Sequence, residues 1–144
     1  SALWRRIERR VLRTTAEYGL GNVVWSPLAM GILTGKYRSV DSAPHGTRAA
    51  GGGREMMEDY FTQPVLDAVA SVEPLAREAG CTMAQLSLAW CLRRPEVSSV
   101  IVGATKPQQV DDNVAAADLH VDPEIFARMD AILEPVAPHE PYES

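Results

Sequence analysis

Two continuous apolar runs limit what this chain can fold into. One is Val23-Val24-Trp25, opening at Asn22, and the other is "SSVIVGA", Ser98 to Ala104. Helical stretches stand before, between and after them, giving the order helix, strand, helices, strand, helix, helix. That is the rhythm of a parallel sheet whose strands are covered by helices. Strands that read as unbroken apolar runs, rather than alternating ones, suit a parallel sheet buried on both faces. Two such strands cannot shield both their edges or fill an interior, and a sheet so small is marginal unless something larger completes it. The pattern predicts a slice of a larger α/β fold, incomplete as a stand-alone chain.

The remaining elements follow from periodicity and punctuation. Ile7, Val11, Leu12 and Thr15 recur at helical spacing, and Gly19-Leu20-Gly21 ends that helix. The segment "RSVDSAPHGTRAAGGGREMMEDYF" has no period, and loops of this length inside domains are functional or disordered. A helix is expected from about Pro64 to Ala79, with Leu66, Val69, Val72, Leu75 and Ala76 on one face. Thr82 with Gln85 reads as a capping box for "TMAQLSLAWCLRR", and Thr105 with Gln108 as a second one, with Pro107 just inside the next helix. Asp122 caps a last helix that buries Ile125, Phe126, Met129, Ile132 and Leu133. The tail is Pro-rich and acidic and reads as loose, so the folded part is taken as 1–134 and the tail as 135–144.

Composition excludes several classes of function. With 46% apolar and 23% charged residues in 144, the chain is not disordered. A net charge of −5 argues against a nucleic-acid binder, and the Arg-rich opening "LWRRIERRVLR" reads as the wet face of a helix. Cys81 and Cys91 have neither CxxC spacing nor a matching histidine set, so no metal site or disulfide framework is expected. No run is long and apolar enough to span a membrane and no signal peptide opens the sequence, so the expected location is cytoplasmic, with no membrane partner.

"VVWSPLAMGILTGKY", followed about sixty residues later by "SLAWCLRRPEVSSVIVGATKPQQVDDNVAAADLHVDPEIFARMDAI", resembles the C-terminal part of an aldo-keto reductase, in the branch that includes the potassium-channel β subunits. The resemblance runs from about Leu3 to Leu133. It implies a (β/α)8 TIM barrel of which these are the last two strands, the first six being absent. In a parallel barrel ligands sit at the C-terminal mouth of the strands, where Trp25 falls.

The resemblance implies that Trp25 stacks on one face of a nicotinamide, which an indole can do because it offers a wide flat π-surface. It also implies that Ser26, Leu28 and Gly31 approach the cofactor's pyrophosphate, with Lys36 adding positive charge. Arg48, in "GTRAA", matches a phosphate-contacting arginine. Gly103 and Thr105 open a helix whose unpaired N–H groups and dipole favour an anion, and in the family that anion is the 2′-phosphate of NADP(H). Four-residue spacing sets Thr105, Gln109 and Asn113 on one face with Asp112 beside them, a donor and acceptor set suited to adenine. Many relatives carry Arg at the place of Gln109. That leaves NAD(H) open beside NADP(H), with Lys106 as the nearest substitute cation.

The family's hydride-transfer chemistry needs a tyrosine acid with helpers carried by the earlier strands. None of those motifs is in this sequence, so no catalytic residue is assigned. Tyr37 belongs to the cofactor motif, and His45, His120 and His139 lie in a loop, a turn and the tail. The reading is the cofactor-binding portion of an NADP(H)-dependent enzyme that reduces aldehydes or ketones when the missing N-terminal barrel segment is present. A redox-sensing or partner-binding module like the channel β subunits, and a truncated product without catalysis, stand as alternatives.

Overall fold

A computed structural model of the chain describes residues 1–137. A single helical turn at Arg6–Glu8 leads to α1 (Val11–Glu17) and β1 (Asn22–Trp25). Further turns at Ala29–Thr34, Arg48–Ala50 and Glu55–Met57 precede α2 (Gln63–Glu78) and α3 (Met83–Leu92). Then come β2 (Val97–Ile101), α4 (Pro107–Ala115) and α5 (Pro123–Leu133). The predicted order of elements is the observed one. Among the described residues no helix is long and apolar enough to cross a membrane.

β1 and β2 pair in parallel, with Val23 opposite Ser99, Val24 opposite Val100 and Trp25 opposite Ile101. Asn22 explains the register at the start. Its N–H and its Nδ2 both donate to the Glu96 carbonyl at 2.8 Å, and Nδ2 also reaches Thr15 Oγ1, so one side chain ties the end of α1 to the start of β2. Gly21 is required beside it, because a Cβ there would fall on the Ser98 hydroxyl.

The strands are covered on one face only. Val24 and Val100 pack against the core, whereas Val23, Trp25 and Ile101 on the opposite face are 60%, 77% and 59% exposed. The apolar runs predicted burial on both faces. A strand alternates its side chains, so each run supplies apolar groups to a helix layer that is present and to a sheet interior that these two strands cannot close.

Behind the strands, α3 is the central helix. Leu86, Ser87, Leu88, Trp90 and Cys91 are all buried, and the capping box at its start is formed as expected, Thr82 Oγ1 accepting from Gln85 N–H and Gln85 Oε1 from Thr82 N–H. α2 packs on α5 through Val65, Leu66, Val69, Val72, Met129 and Leu133. Phe126 and Ile132 of α5 are only partly buried. The tail does not begin loose: Glu134–Val136 continues as one turn with Ala137 buried, while 138–144, including His139, lie outside the described residues.

The Arg-rich opening is not one helix with a wet face. It breaks after Glu8, and α1 buries only Leu12. Arg5 instead bridges elements, with Nη2 2.8 Å from Glu8, and Nη1 3.2 Å from Asp130 and 3.0 Å from Glu134. Asp130 also accepts from Trp90 Nε1 at 2.7 Å and from Arg93 at 3.1 Å. Charge pairing across elements decides the position of Arg5, and a periodicity reading has no access to it.

Candidate functional site

The chain turns abruptly where β1 ends. Ser26, Ala29 and Met30 have φ of 51°, 46° and 55°, and Gly31 follows at 96°. Three non-glycine residues in the left-handed region within five positions cost about 1–3 kcal/mol each. Such strain persists only where the surroundings impose it and collects at functional sites. It curls the segment after Trp25 back on itself, so that Lys36 Nζ lies 2.7 Å from where a Cβ on Gly31 would be. The φ of 96° at Gly31 favours glycine there, whereas the flexible Lys36 side chain could swing away from a Cβ.

Tyr37 anchors this curl. It is 1% exposed and meets the Phe61 ring edge-on at 5.2 Å, with Lys36 Nζ 5.2 Å from its centroid. Its Oη accepts the N–H of Ala49, next to Arg48. The sequence left this segment open between a functional and a disordered loop, and the turns at 48–50 and 55–57 are tied down. Arg54 donates to the Val40 carbonyl, Gln63 bonds Val40 N–H and the Arg38 carbonyl, and Met57 and Phe61 are buried beneath. The aromatic residues at 37 and 61 were the signal for this order, since buried rings at both ends of an aperiodic segment give it a core of its own.

A cleft of about 390 Å³ opens beside Trp25, walled by Trp4, Ile7, Met30, Met56, Asp59 and Tyr60. Ser26 also lines it, and of its lining Trp25 and Ser26 were the cofactor residues expected from sequence. Burial, then the Asp59 charge, pushes the Tyr60 phenol up from 10.0 to about 12, with Arg6 acting against them. The folded state thus holds this proton more tightly than the unfolded chain. Its contribution to stability is complete below about pH 10 and is lost as the pH rises through about 12. Tyr60→Phe is expected to flatten that alkaline fall in urea midpoints measured from about pH 9 to about pH 12.

The second group of residues follows β2. Pairing of Trp25 with Ile101 places Trp25 and Gly103, two residues farther on, at the same end of the sheet. Gly103, Thr105, Lys106 and Gln109 are exposed, and Asp112 and Asn113 half-buried. Gln109, rather than the expected Gln108, closes the start of α4. Its Oε1 accepts from Thr105 N–H at 2.7 Å, Lys106 N–H at 3.2 Å and the Thr105 hydroxyl at 3.2 Å. Lys106 occupies the capping position, and an ammonium cannot accept a hydrogen bond, so the cap is one-sided. Gln108 instead donates to Asp112 Oδ1, and Gln85 donates to the Asp112 carbonyl, seating α4 on α3.

Thus Trp25, Ser26, Leu28, Gly31 and Lys36 form one continuous curl, Arg48 is linked to it through Tyr37, and Gly103 to Asn113 stand at the same sheet end. Among the described residues no group of acidic, histidine and cysteine side chains is placed to hold a metal ion. Cys81 and Cys91 are free, and burial pushes both thiols up, away from reactivity.

Comparison with known proteins places this geometry in context. The profile of the Aldo/keto reductase family matches residues 1–134. A probable voltage-gated potassium channel subunit beta of Oryza sativa subsp. japonica is 36% identical over 131 residues, spanning 90% of this chain and 40% of that protein. A putative voltage-gated potassium channel subunit beta of Schizosaccharomyces pombe is 41% identical over 133 residues, spanning 88% and 38%. The solved structure of a glycerol dehydrogenase from Gluconobacter oxydans superposes with a TM-score of 0.72 at 22% identity, covering 99% of this chain and 43% of that one. That likeness bears on the fold alone. The chain spans about two fifths of the length of these proteins.

Proposed function

The chain belongs to the aldo/keto reductase family, and from that premise we propose that it is the cofactor-binding, C-terminal portion of an NADP(H)-dependent aldo-keto reductase that reduces aldehydes or ketones to alcohols. The observation that carries the reading is the shared end of the parallel pair: the strained curl after Trp25 and the opening of α4 lie where one dinucleotide can touch both. The barrel portion is 1–134 with 135–144 as its tail, of which the first residues up to Ala137 still pack on it, the location is cytoplasmic, and the remaining strands of the barrel are the partner that the bare faces of Val23, Trp25 and Ile101 call for.

The residues present fit the cofactor. Trp25 offers an uncovered indole face to a nicotinamide, which supplies the hydride when bound. Ser26, Leu28 and Gly31 bring backbone close to the pyrophosphate, and Lys36 and Arg48 neutralise its charge. Gly103, Thr105 and Lys106 receive the 2′-phosphate, while Gln109, Asp112 and Asn113 address the adenosine. Since Gln109 already takes the N–H groups of Thr105 and Lys106, discrimination for the phosphate falls on the Lys106 ammonium. NAD(H) is the competing cofactor on this account.

Lys106→Glu, placed in a complete barrel containing this segment, is expected to weaken NADPH by about 1–3 kcal/mol while leaving NADH nearly unchanged. Titration of both cofactors decides it, and equal losses would remove Lys106 from phosphate recognition in favour of Arg48. A second reading, a redox-sensing β-subunit-like module that binds a partner, is favoured by the names of the rice and fission-yeast relatives. It predicts cofactor binding without turnover in the completed barrel.

A further inference from the structure

Lys36 and Arg48 are twelve residues apart in sequence, and what relates them in space is Tyr37. The phenol is buried beneath Lys36. Lys36 Nζ stands 5.2 Å from the ring, and the ring's Oη takes the N–H of Ala49 in a long bond of 3.4 Å. Ala49 is itself buried, so its N–H has no water to turn to. On the other side of the same turn Gly53 lies against the Arg48 side chain, where a Cβ would collide with Cγ and approach the Arg48 carbonyl to 3.3 Å. The Arg48 turn is therefore held by the phenolic oxygen, and Gly53 leaves room for its side chain. Phe61 fixes the phenol edge-on at 5.2 Å and carries Arg54 over its other surface at 5.1 Å.

We propose that Tyr37 is a positioning residue that sets Arg48 relative to Lys36, making the two cations one unit for reading a polyanionic phosphate group. The assignment rests on the cofactor reading above for the identity of that group. It differs from a packing role, because ring and hydroxyl do separate things: the ring fills the core beside Phe61, and the hydroxyl oxygen alone reaches the Arg48 turn. A flexible Arg spends conformational entropy on each anion it meets. One whose backbone is already fixed loses less.

Tyr37→Phe separates the two roles, since it keeps the ring and deletes the acceptor. Amide exchange at Ala49 is expected to rise about tenfold in this variant, while that of Leu66 and Val69 in α2 stays as in the unaltered chain. NADPH affinity of a complete barrel containing this segment, followed by its fluorescence, is expected to fall about five- to tenfold, and Tyr37→Phe is expected to add no further loss on top of Arg48→Ala, because the phenol acts only through that arginine. Gly53→Ala, which presses on Arg48 from the opposite side without touching Tyr37, is expected to give the same loss and the same lack of additivity. Multiplying losses in the double variants, or unchanged exchange at Ala49, would overturn the proposal. If a complete barrel containing this segment binds no NADPH, the cofactor reading fails. Exchange at Ala49 still decides whether Tyr37 holds the turn, and inorganic pyrophosphate titration, with Arg48→Ala as the control, tests whether any phosphate is read there.

Discussion

Supplied with NADPH and an aromatic aldehyde, this chain alone is expected to show no loss of NADPH absorbance, and to gain it when mixed with a separately made N-terminal segment of a close relative. The expectation joins two observations. First, proton donation to a carbonyl requires an acid within hydrogen-bond reach of it and helpers around it, and among the described tyrosines and histidines all but Tyr60 are badly placed. Tyr18 is exposed at the end of α1, and the Tyr37 oxygen is engaged with Ala49 in the core. His45 and His120 are exposed, the latter with Nδ1 3.1 Å from the Asp118 carbonyl. Second, two strands leave the face of Val23, Trp25 and Ile101 open to water, where hydride transfer would have no enclosed site. Robust turnover by the chain alone would contradict the fragment reading. It would point to Tyr60, which shares the cleft with Trp25 and stays protonated up to about pH 12.

Trp25→Ala carries the second large effect. Its indole is 77% exposed in the unliganded chain, so truncation removes little buried surface and the thermal midpoint is expected to stay within a degree or two. Cofactor binding is a different matter. Covering an exposed aromatic face is worth about 1.5–3 kcal/mol, so NADPH affinity in the completed barrel is expected to drop about 10- to 150-fold. The same variant should lose less affinity for 2′,5′-ADP, which has no nicotinamide to stack. Equal losses for both ligands would mean that Trp25 supports the site at large and stacks on nothing.

The sequence alone determined the skeleton of this protein. Apolar runs at 23–25 and 98–104, the stops at Gly19 and Gly80, and the caps at Thr82 and Asp122 are local signals. Backbone hydrogen bonding and side-chain periodicity answer to neighbours a few residues away, so element order, parallel pairing and the incompleteness of a two-stranded sheet were all legible. The candidate site was legible only as far as its motifs: "WSPLAMGILTGKY" and "GATKPQQVDDN" pointed to residues without saying how they are held.

Tertiary structure decided the rest. Arg5 reads as solvated because nothing near it in sequence shows Asp130 and Glu134 arriving from the far end of the chain. The Arg48 segment stays open between a functional and a disordered loop because its anchor, the Tyr37 hydroxyl, is twelve residues away and has no period. Gln109 displaces Gln108 at the start of α4 because capping depends on which side chain can curl back over the N–H groups, and spacing alone does not distinguish two adjacent glutamines. Each is a contact between groups that sequence separates and packing joins. A local pattern can name such groups as candidates, but only the fold brings them within hydrogen-bonding distance.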